Sequence, residues 1–434
     1  MTERNDNEEV DEESQCLSEA ENEEEPKCCL GQTIIYCCVT FCVGFFAFCL
    51  GLSVMGALFS GLSTLKDVDY EGEPWPVTDE EGYYQSYKEN GAWVNWWHRD
   101  MPSPLSIMAG FIFTEDASNI PSQTCTTGQK CALDDSLPIT KPKWLNASEK
   151  NAVRATWIGH ATVLAEIDGA VIITDPMFSQ RCSPVQFMGP KRYRPPACTI
   201  DELPQILDAV VISHTHYDHL DIDSVEKLHQ RYGDKLHWFV PSGSKSWFED
   251  RGLASNNIHD MVWWQSTEMP LVGGEAQDHN DEKAARIIFT PANHFSRRGV
   301  MDKNTALWGS WLVIGSNGNK FWFGGDTAYS DVFKQIGKRY GPIDLSAIPI
   351  GAYHPRQTMK FVHVDPEEAV KIHYDLKSKT SFGIHWGTFK MTPEYYLEPK
   401  ERILQIAQEN PGMAPFLLPN LGENVSTQKQ TKSK

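Results

Sequence analysis

Hydrophobic and polar positions divide the chain into stretches of unlike texture. From Cys28 to Leu65 no charged residue occurs over 38 positions, and Ile34 to Phe59 is strongly apolar. About 20 apolar residues in a helix cross the hydrocarbon core of a bilayer, so 28–65 predicts an N-terminal transmembrane segment. It exceeds one crossing, and Gly44, Gly51, Gly56 and Gly61 would permit a hairpin. Before it, residues 1–27 hold twelve acids against two bases and few large apolar groups, which predicts a disordered tail. A long acidic leader is unlike the short basic one of a cleaved signal peptide, so the segment is expected to remain as an anchor. Residues 66–150 read as a connector and cover. They contain Trp93, Trp96 and Trp97, then an apolar patch at Leu105, Ile107, Met108, Phe111, Ile112 and Phe113.

From 151 to about 420 short apolar runs alternate with amphipathic ones. The runs predict strands at 153–158, 163–167, 170–174, 209–213, 237–240, 286–290, 307–314, 320–324, 344–349 and 380–384. The 3.6-residue period predicts helices at 224–232, 243–251, 329–339, 365–375 and 397–408. Asp223 is the expected cap and Gly233 the expected stop of the first of these. Asp365 is expected to cap the fourth, with Glu367 and Glu368 in its first turn. The fold class is α/β, a layered catalytic body, followed by a polar tail at 421–434.

Candidate chemistry concentrates just after the run Ala209–Ile212. Ser213-His214-Thr215-His216-Tyr217-Asp218-His219 places three imidazoles and a carboxylate on the loop leaving a buried strand. These are transition-metal ligands, with no thiol among them. His294, Asp326 and His385 each follow another predicted strand, so neighbouring strands would bring all seven groups to one sheet edge. Seven ligands exceed one tetrahedral ion and suit two ions sharing a carboxylate, for which Asp326 is the candidate. Such ions lie roughly 3.5–4 Å apart, acidify a bridging water and bind phosphoryl oxygens as charge accumulates there. The metal motif by itself also suits a nuclease, a lactonase or a thioesterase.

Charge and cysteine content narrow the partners. Of the net charge of −19, −10 sits in residues 1–27 and −9 in the remainder, which argues against a nucleic-acid partner. Seven of the 11 cysteines lie between Cys16 and Cys49, and no CxxC pair occurs. Cys28, Cys29, Cys37 and Cys38 are candidates for acylation. Asn146 and Asn424 head glycosylation-type sequons.

The metal residues, together with Trp157-Ile-Gly-His-Ala-Thr-Val, Thr174-Asp-Pro-Met-Phe-Ser, Met188-Gly-Pro-Lys-Arg-Tyr, Ile348-Pro-Ile-Gly-Ala-Tyr, His363-Val-Asp-Pro-Glu-Glu-Ala-Val and His385-Trp-Gly-Thr-Phe, carry a resemblance. Over about 95–400 the chain resembles the N-acyl-phosphatidylethanolamine-hydrolysing phospholipase D family of the metallo-β-lactamase superfamily. The resemblance implies an αββα sandwich, two zinc ions per subunit, and hydrolysis of a membrane phospholipid to N-acylethanolamine and phosphatidic acid. It implies that His214, His216 and His294 hold one ion, that Asp218, His219 and His385 hold the other, and that Asp326 bridges them. It places Asp218 and His363 in catalysis, with His363 and Gln186 against the substrate, and Asp175 and His160 as braces for the ligands. A homodimer, and an endomembrane address (Golgi or ER) with the catalytic body facing the cytosol, are further expectations from it. The segment 28–65 is a departure from the family, and so is the context Phe295-Ser296-Arg297-Arg298.

Overall fold

Side chains alternate across an extended backbone, so a strand that is apolar at every position must be covered on both faces. That rule organises the unit Pro74–Lys434. In the computed structural model the described residues are 77–97, 109–121, 131–144, 152–272 and 284–427. The acidic tail, the uncharged stretch with its cysteines, Asn146 and part of the 105–113 patch lie outside them. Among the described residues no helix is long and apolar enough to cross a membrane.

In chain order the strands are β1 (Lys88–Glu89), β2 (Ala92–Trp93), β3 (Val153–Gly159), β4 (Thr162–Ile167), β5 (Ala170–Thr174), β6 (Ala209–Val211), β7 (His237–Pro241) and β8 (Ile258–Met261). There follow β9 (Ser266–Pro270), β10 (Ala284–Thr290), β11 (Ser310–Ile314), β12 (Lys320–Phe323), β13 (Leu345–Pro349), β14 (Ser381–Ile384), β15 (Phe416–Leu417) and β16 (Asn424–Ser426). One seven-stranded sheet runs β16-β3-β4-β5-β6-β7-β8, and a second runs β15-β14-β13-β12-β11-β10-β9. Each is antiparallel at one end and parallel at the other.

The sheets pack face to face through Trp157, Val163, Ala165, Ile172, Val211 and Phe239 on one side and Ile287, Phe289, Trp311, Val313 and Phe323 on the other. In β6, Val211 points into this core while Val210 belongs to a second cluster on the outer face. There Val225 and Leu228 of α2 (Ile222–Tyr232) and Phe248 of α3 (Lys245–Glu249) cover it, α1 being the short turn Leu133–Ser136. The far face of the second sheet is covered by α4 (Val332–Arg339), α6 (Pro366–Asp375) and α7 (Glu398–Glu409), with α5 (Arg356–Met359) between α4 and α6 in sequence. The result is the expected αββα sandwich. The Trp311 indole donates to the Ile212 carbonyl at 2.9 Å, tying the second sheet to the segment that leaves β6 for the histidine-rich loop.

Several expectations are corrected. The N-cap of α2 is Asp221 rather than Asp223, because the helix starts one turn-fraction earlier and leaves Asp223 in its first turn. Gly233 ends it at φ 63, and Asp365 caps α6 by accepting from the Glu368 amide at 2.9 Å. The polar tail given as 421–434 does not begin at 421, since β16 pairs with β3 and the Asn424 side chain donates to the Lys143 carbonyl. The described part of the region 66–150 is more than a cover, because Tyr83, Trp96, Leu133 and Leu137 belong to the main core. Ile112 and Phe113 are instead exposed, at 67% and 87%.

Candidate metal centre

The strand ends put the candidate ligands on one edge of the sandwich. β6 runs out into Ser213–Leu220, β10 leads to His294, β12 to Asp326 and β14 to His385. The metal loop is a tight turn in which the amides of His219 and Leu220 both donate to the His216 carbonyl, at 3.1 and 2.8 Å. Gly325 has φ 59, and a Cβ there would lie 2.5 Å from the Ser213 Cβ, so only glycine lets the Asp326 loop rest against the metal loop. His160, Asp175 and His385 also take positive φ, at 54°, 32° and 62°. Left-handed backbone in side chains of this kind stores strain that concentrates at functional sites.

The seven predicted residues come together in two groups. In one, His214 Nε2 and His294 Nε2 lie 2.8 and 3.3 Å from His216 Nδ1. In the other, Asp218 Oδ2 lies 3.2 Å from His219 Nε2 and 3.5 Å from His385 Nε2. Asp326 sits between them. Its Oδ2 is 3.0 Å from His219 Nε2, 3.8 Å from His214 Nε2 and 3.9 Å from His294 Nε2, and its Oδ1 is 2.9 Å from His385 Nε2. That last approach has no hydrogen-bond geometry, and Asp326 Oδ1 is buried without a hydrogen-bond partner.

Hydrogen bonds behind the ring fix which imidazole nitrogens carry protons. The Ser213 hydroxyl and amide donate to Asp175, at 2.5 and 2.7 Å. With its own proton engaged, that hydroxyl accepts from His214 Nδ1 at 2.9 Å. His219 Nδ1 donates to Asp175 Oδ2 at 2.6 Å, and His294 Nδ1 donates to the Val362 carbonyl at 2.9 Å. The Nε2 lone pairs of His214 and His294 are thereby left facing inward, and His219 Nε2 joins them once a cation displaces its proton, the arrangement that metal-binding histidines adopt. The donor set fits a metal.

The electrostatics agree. Burial drives the His214 and His294 pKa well below that of a free imidazole and His216 down to about 4, so these rings are neutral and ready to ligate. Burial works against the charge on Asp218 and Asp326, yet neighbouring imidazoles, His219 foremost, hold both well below the usual carboxylate range. Against the same burial, Asp326 and Asp218 raise His385 to about 9 and hold His219 well above the imidazole range. In the metal-free protein the acidic pair therefore retains protons on two histidines, which a cation would displace.

The braces fall where expected. Asp175 takes the three donors described, and His160 Nε2 meets Asp218 Oδ2 at 2.9 Å. The His160 carbonyl also accepts from the His385 amide at 3.0 Å, locking two of the strained residues together. His363 is buried on the turn after α5, with Nδ1 4.0 Å from Asp326 Oδ2 and no hydrogen-bond partner on that nitrogen. Gln186 is different. It is exposed, and its amide closes its own loop on the Arg181 backbone at 3.0 and 3.1 Å. Sequence reasoning missed Asn95, whose side chain donates to the His294 carbonyl and to Asn293 Oδ1. It lies 199 residues from His294, and no local signal marks it.

The model for the Beta-lactamase superfamily domain matches residues 171–386. The chain is 40% identical over 339 residues to the N-acyl-phosphatidylethanolamine-hydrolyzing phospholipase D 1 of Caenorhabditis elegans, covering 76% of this chain and 90% of the relative. It is 34% identical over 291 residues to the mitochondrial N-acyl-phosphatidylethanolamine-hydrolyzing phospholipase D of Saccharomyces cerevisiae, covering 66% of this chain and 59% of that one. An uncharacterised protein of Mycobacterium tuberculosis is 38% identical over 292 residues, 67% of this chain and 72% of the relative. With the sandwich and the buried His/Asp centre already in place, this chain is a metal-dependent hydrolase that belongs to the N-acyl-phosphatidylethanolamine-hydrolysing phospholipase D family of the metallo-β-lactamase superfamily.

Proposed function

We propose that the chain is a membrane-anchored, zinc-dependent phosphodiesterase of the phospholipase D type. It hydrolyses N-acyl-phosphatidylethanolamine to N-acylethanolamine and phosphatidic acid. The observation that carries this reading is Asp326, a buried carboxylate set between two imidazole-rich groups. Imidazole and carboxylate donors without a thiolate suit zinc, and donors on both sides of one carboxylate suit two ions. When bound, such ions supply an acidified water and positive charge for the phosphoryl oxygens. The uncharged stretch 28–65 serves as the anchor that keeps the site at its lipid substrate.

The chain's own groups divide the remaining work. Asp218, held anionic by its imidazole neighbours, accepts a hydrogen bond from the attacking water and orients it toward phosphorus. Water adds its oxygen to phosphorus and gives up one proton, the bond from phosphorus to the ethanolamide oxygen breaks, and that oxygen leaves as a hydroxyl by taking up the proton the water released. Burial pushes His363 down to about 4, so at pH 7 it is neutral. A neutral imidazole is a good hydrogen-bond donor to phosphate and a poor proton source, which favours the first role. His363→Ala is expected to lower kcat about 10²-fold with metal content unchanged. Metal loss in step with activity would make it a ligand instead.

The reading is tested on full-length protein in detergent, with the lipid, an RNA and a lactone offered separately and products identified by mass spectrometry. N-acylethanolamine and phosphatidic acid are expected from the lipid alone. A chelator should stop their release and added Zn²⁺ should restore it. Turnover of the RNA or the lactone in preference to the lipid would overturn the substrate assignment, and activity indifferent to the chelator would overturn the metal.

A further inference from the structure

Beyond His294 the chain turns through Phe295-Ser296-Arg297-Arg298, and the second arginine folds back beneath the metal loop. Arg298 Nη1 donates to the Thr215 carbonyl at 2.9 Å and to the Leu220 carbonyl at 2.7 Å. One nitrogen with two protons thus joins carbonyls five residues apart, at the two ends of the turn that carries His216, Asp218 and His219. The guanidinium lies 4.1 Å from the centre of the Tyr217 ring and 5.1 Å from that of Trp247. The Tyr217 hydroxyl closes the loop by donating to the Arg298 carbonyl at 3.0 Å. Arg298 is itself held in place, because Asp302 accepts from its amide at 3.1 Å and from the Gly299 amide at 2.7 Å. Arg251 stacks 3.7 Å from the Trp247 ring, so the ladder reaches α3 on the outer face of the first sheet.

We propose that Arg298 is a positioning residue that sets the span of the metal loop, keeping His216 toward one donor group and Asp218 and His219 toward the other. Carbonyl acceptors explain the choice of residue. A guanidinium can bond to two of them while its flat faces rest on aromatic rings, which an ammonium cannot match. The proposal rests on the metal reading of the site, and its test separates the two.

Full-length wild type, Arg298→Gln, Arg298→Lys and Trp247→Leu would be stripped and titrated with Co²⁺. Stoichiometry, affinity by competition with a chelator, the visible absorption bands, and the unfolding temperature with and without metal would all be measured. Arg298→Gln is expected to weaken Co²⁺ binding about 10–100-fold and to alter the bands, with the metal-free unfolding temperature close to wild type. Arg298→Lys should fall between the two, and Trp247→Leu should move the same way by less. Unchanged affinity and bands with a raised KM would overturn the proposal in favour of direct substrate contact. Equal loss of stability with and without metal would overturn it in favour of general packing. Wild type that takes up no Co²⁺ would remove the metal reading and the proposal together, whereas losses confined to the variants support both.

Discussion

Asp326→Asn is expected to lower kcat/KM for lipid hydrolysis about 10⁴-fold, equivalent to about 5 kcal/mol, and to reduce bound metal by at least half. The substitution keeps the shape of the side chain and removes one of the two negative charges at the centre. Asp326 is 3% exposed, with Oδ2 3.0 Å from His219 Nε2 and Oδ1 2.9 Å from His385 Nε2. An amide there must turn its NH₂ toward either His219 Nε2 or His385 Nε2. Its two hydrogens then occupy a direction in which a cation would bind, and only the carbonyl oxygen remains to ligate, so the side chain can no longer serve both groups. His219 and His385 also lose the carboxylate that does most to hold them protonated. Kinetics on the purified lipid and elemental analysis of the same sample check the result. Wild-type activity at full metal content would remove Asp326 from the centre.

The centre was legible in the sequence because its ligands follow strand ends, and strand ends are marked by apolar runs. His214, His216, Asp218 and His219 are consecutive enough to be seen directly. His294, Asp326 and His385 were found because β10, β12 and β14 are continuous hydrophobic runs that stop just before them. Strands without that signal were missed. β9 is Ser-Thr-Glu-Met-Pro at a sheet edge, where one face meets water and periodicity fades, and β8 carries His259 and Asp260 between its apolar ends. The contacts that organise the ligands were the least legible. Asn95 on His294 and Arg298 on Thr215 and Leu220 join residues far apart in sequence through backbone carbonyls. A carbonyl presents the same acceptor whatever residue carries it, so no pattern of residue types announces such a bond. Asp175 was accessible only through its motif, and what it does became visible with the three donors converging on it.

Those three donors make Asp175→Ala the most damaging change outside the ligands. Asp175 is fully buried, and burial pushes its carboxyl above the ordinary range while His219 and Ser213 draw it back. Removing it strands the Ser213 amide, the Ser213 hydroxyl and His219 Nδ1 in the interior. At roughly 1–3 kcal/mol for each unsatisfied buried donor, the loss is about 5 kcal/mol, against a total stability of about 5–15 kcal/mol for a folded domain. The unfolding temperature is expected to fall by about 10 °C or more, and hydrolysis to be lost with it. Asp175→Asn separates stability from ligand orientation. It retains an acceptor for Ser213, so the stability loss should shrink to about 1–2 kcal/mol. Its NH₂, turned toward His219, would demand a lone pair on Nδ1 and so fix the imidazole's remaining proton on Nε2. That proton then points at Asp218 and Asp326, where a metal needs a lone pair. Metal affinity should fall about 10–100-fold in a protein that still folds. Calorimetry and metal competition on the two variants distinguish the effects, and native metal affinity in Asp175→Asn would show that Asp175 does not set the His219 tautomer.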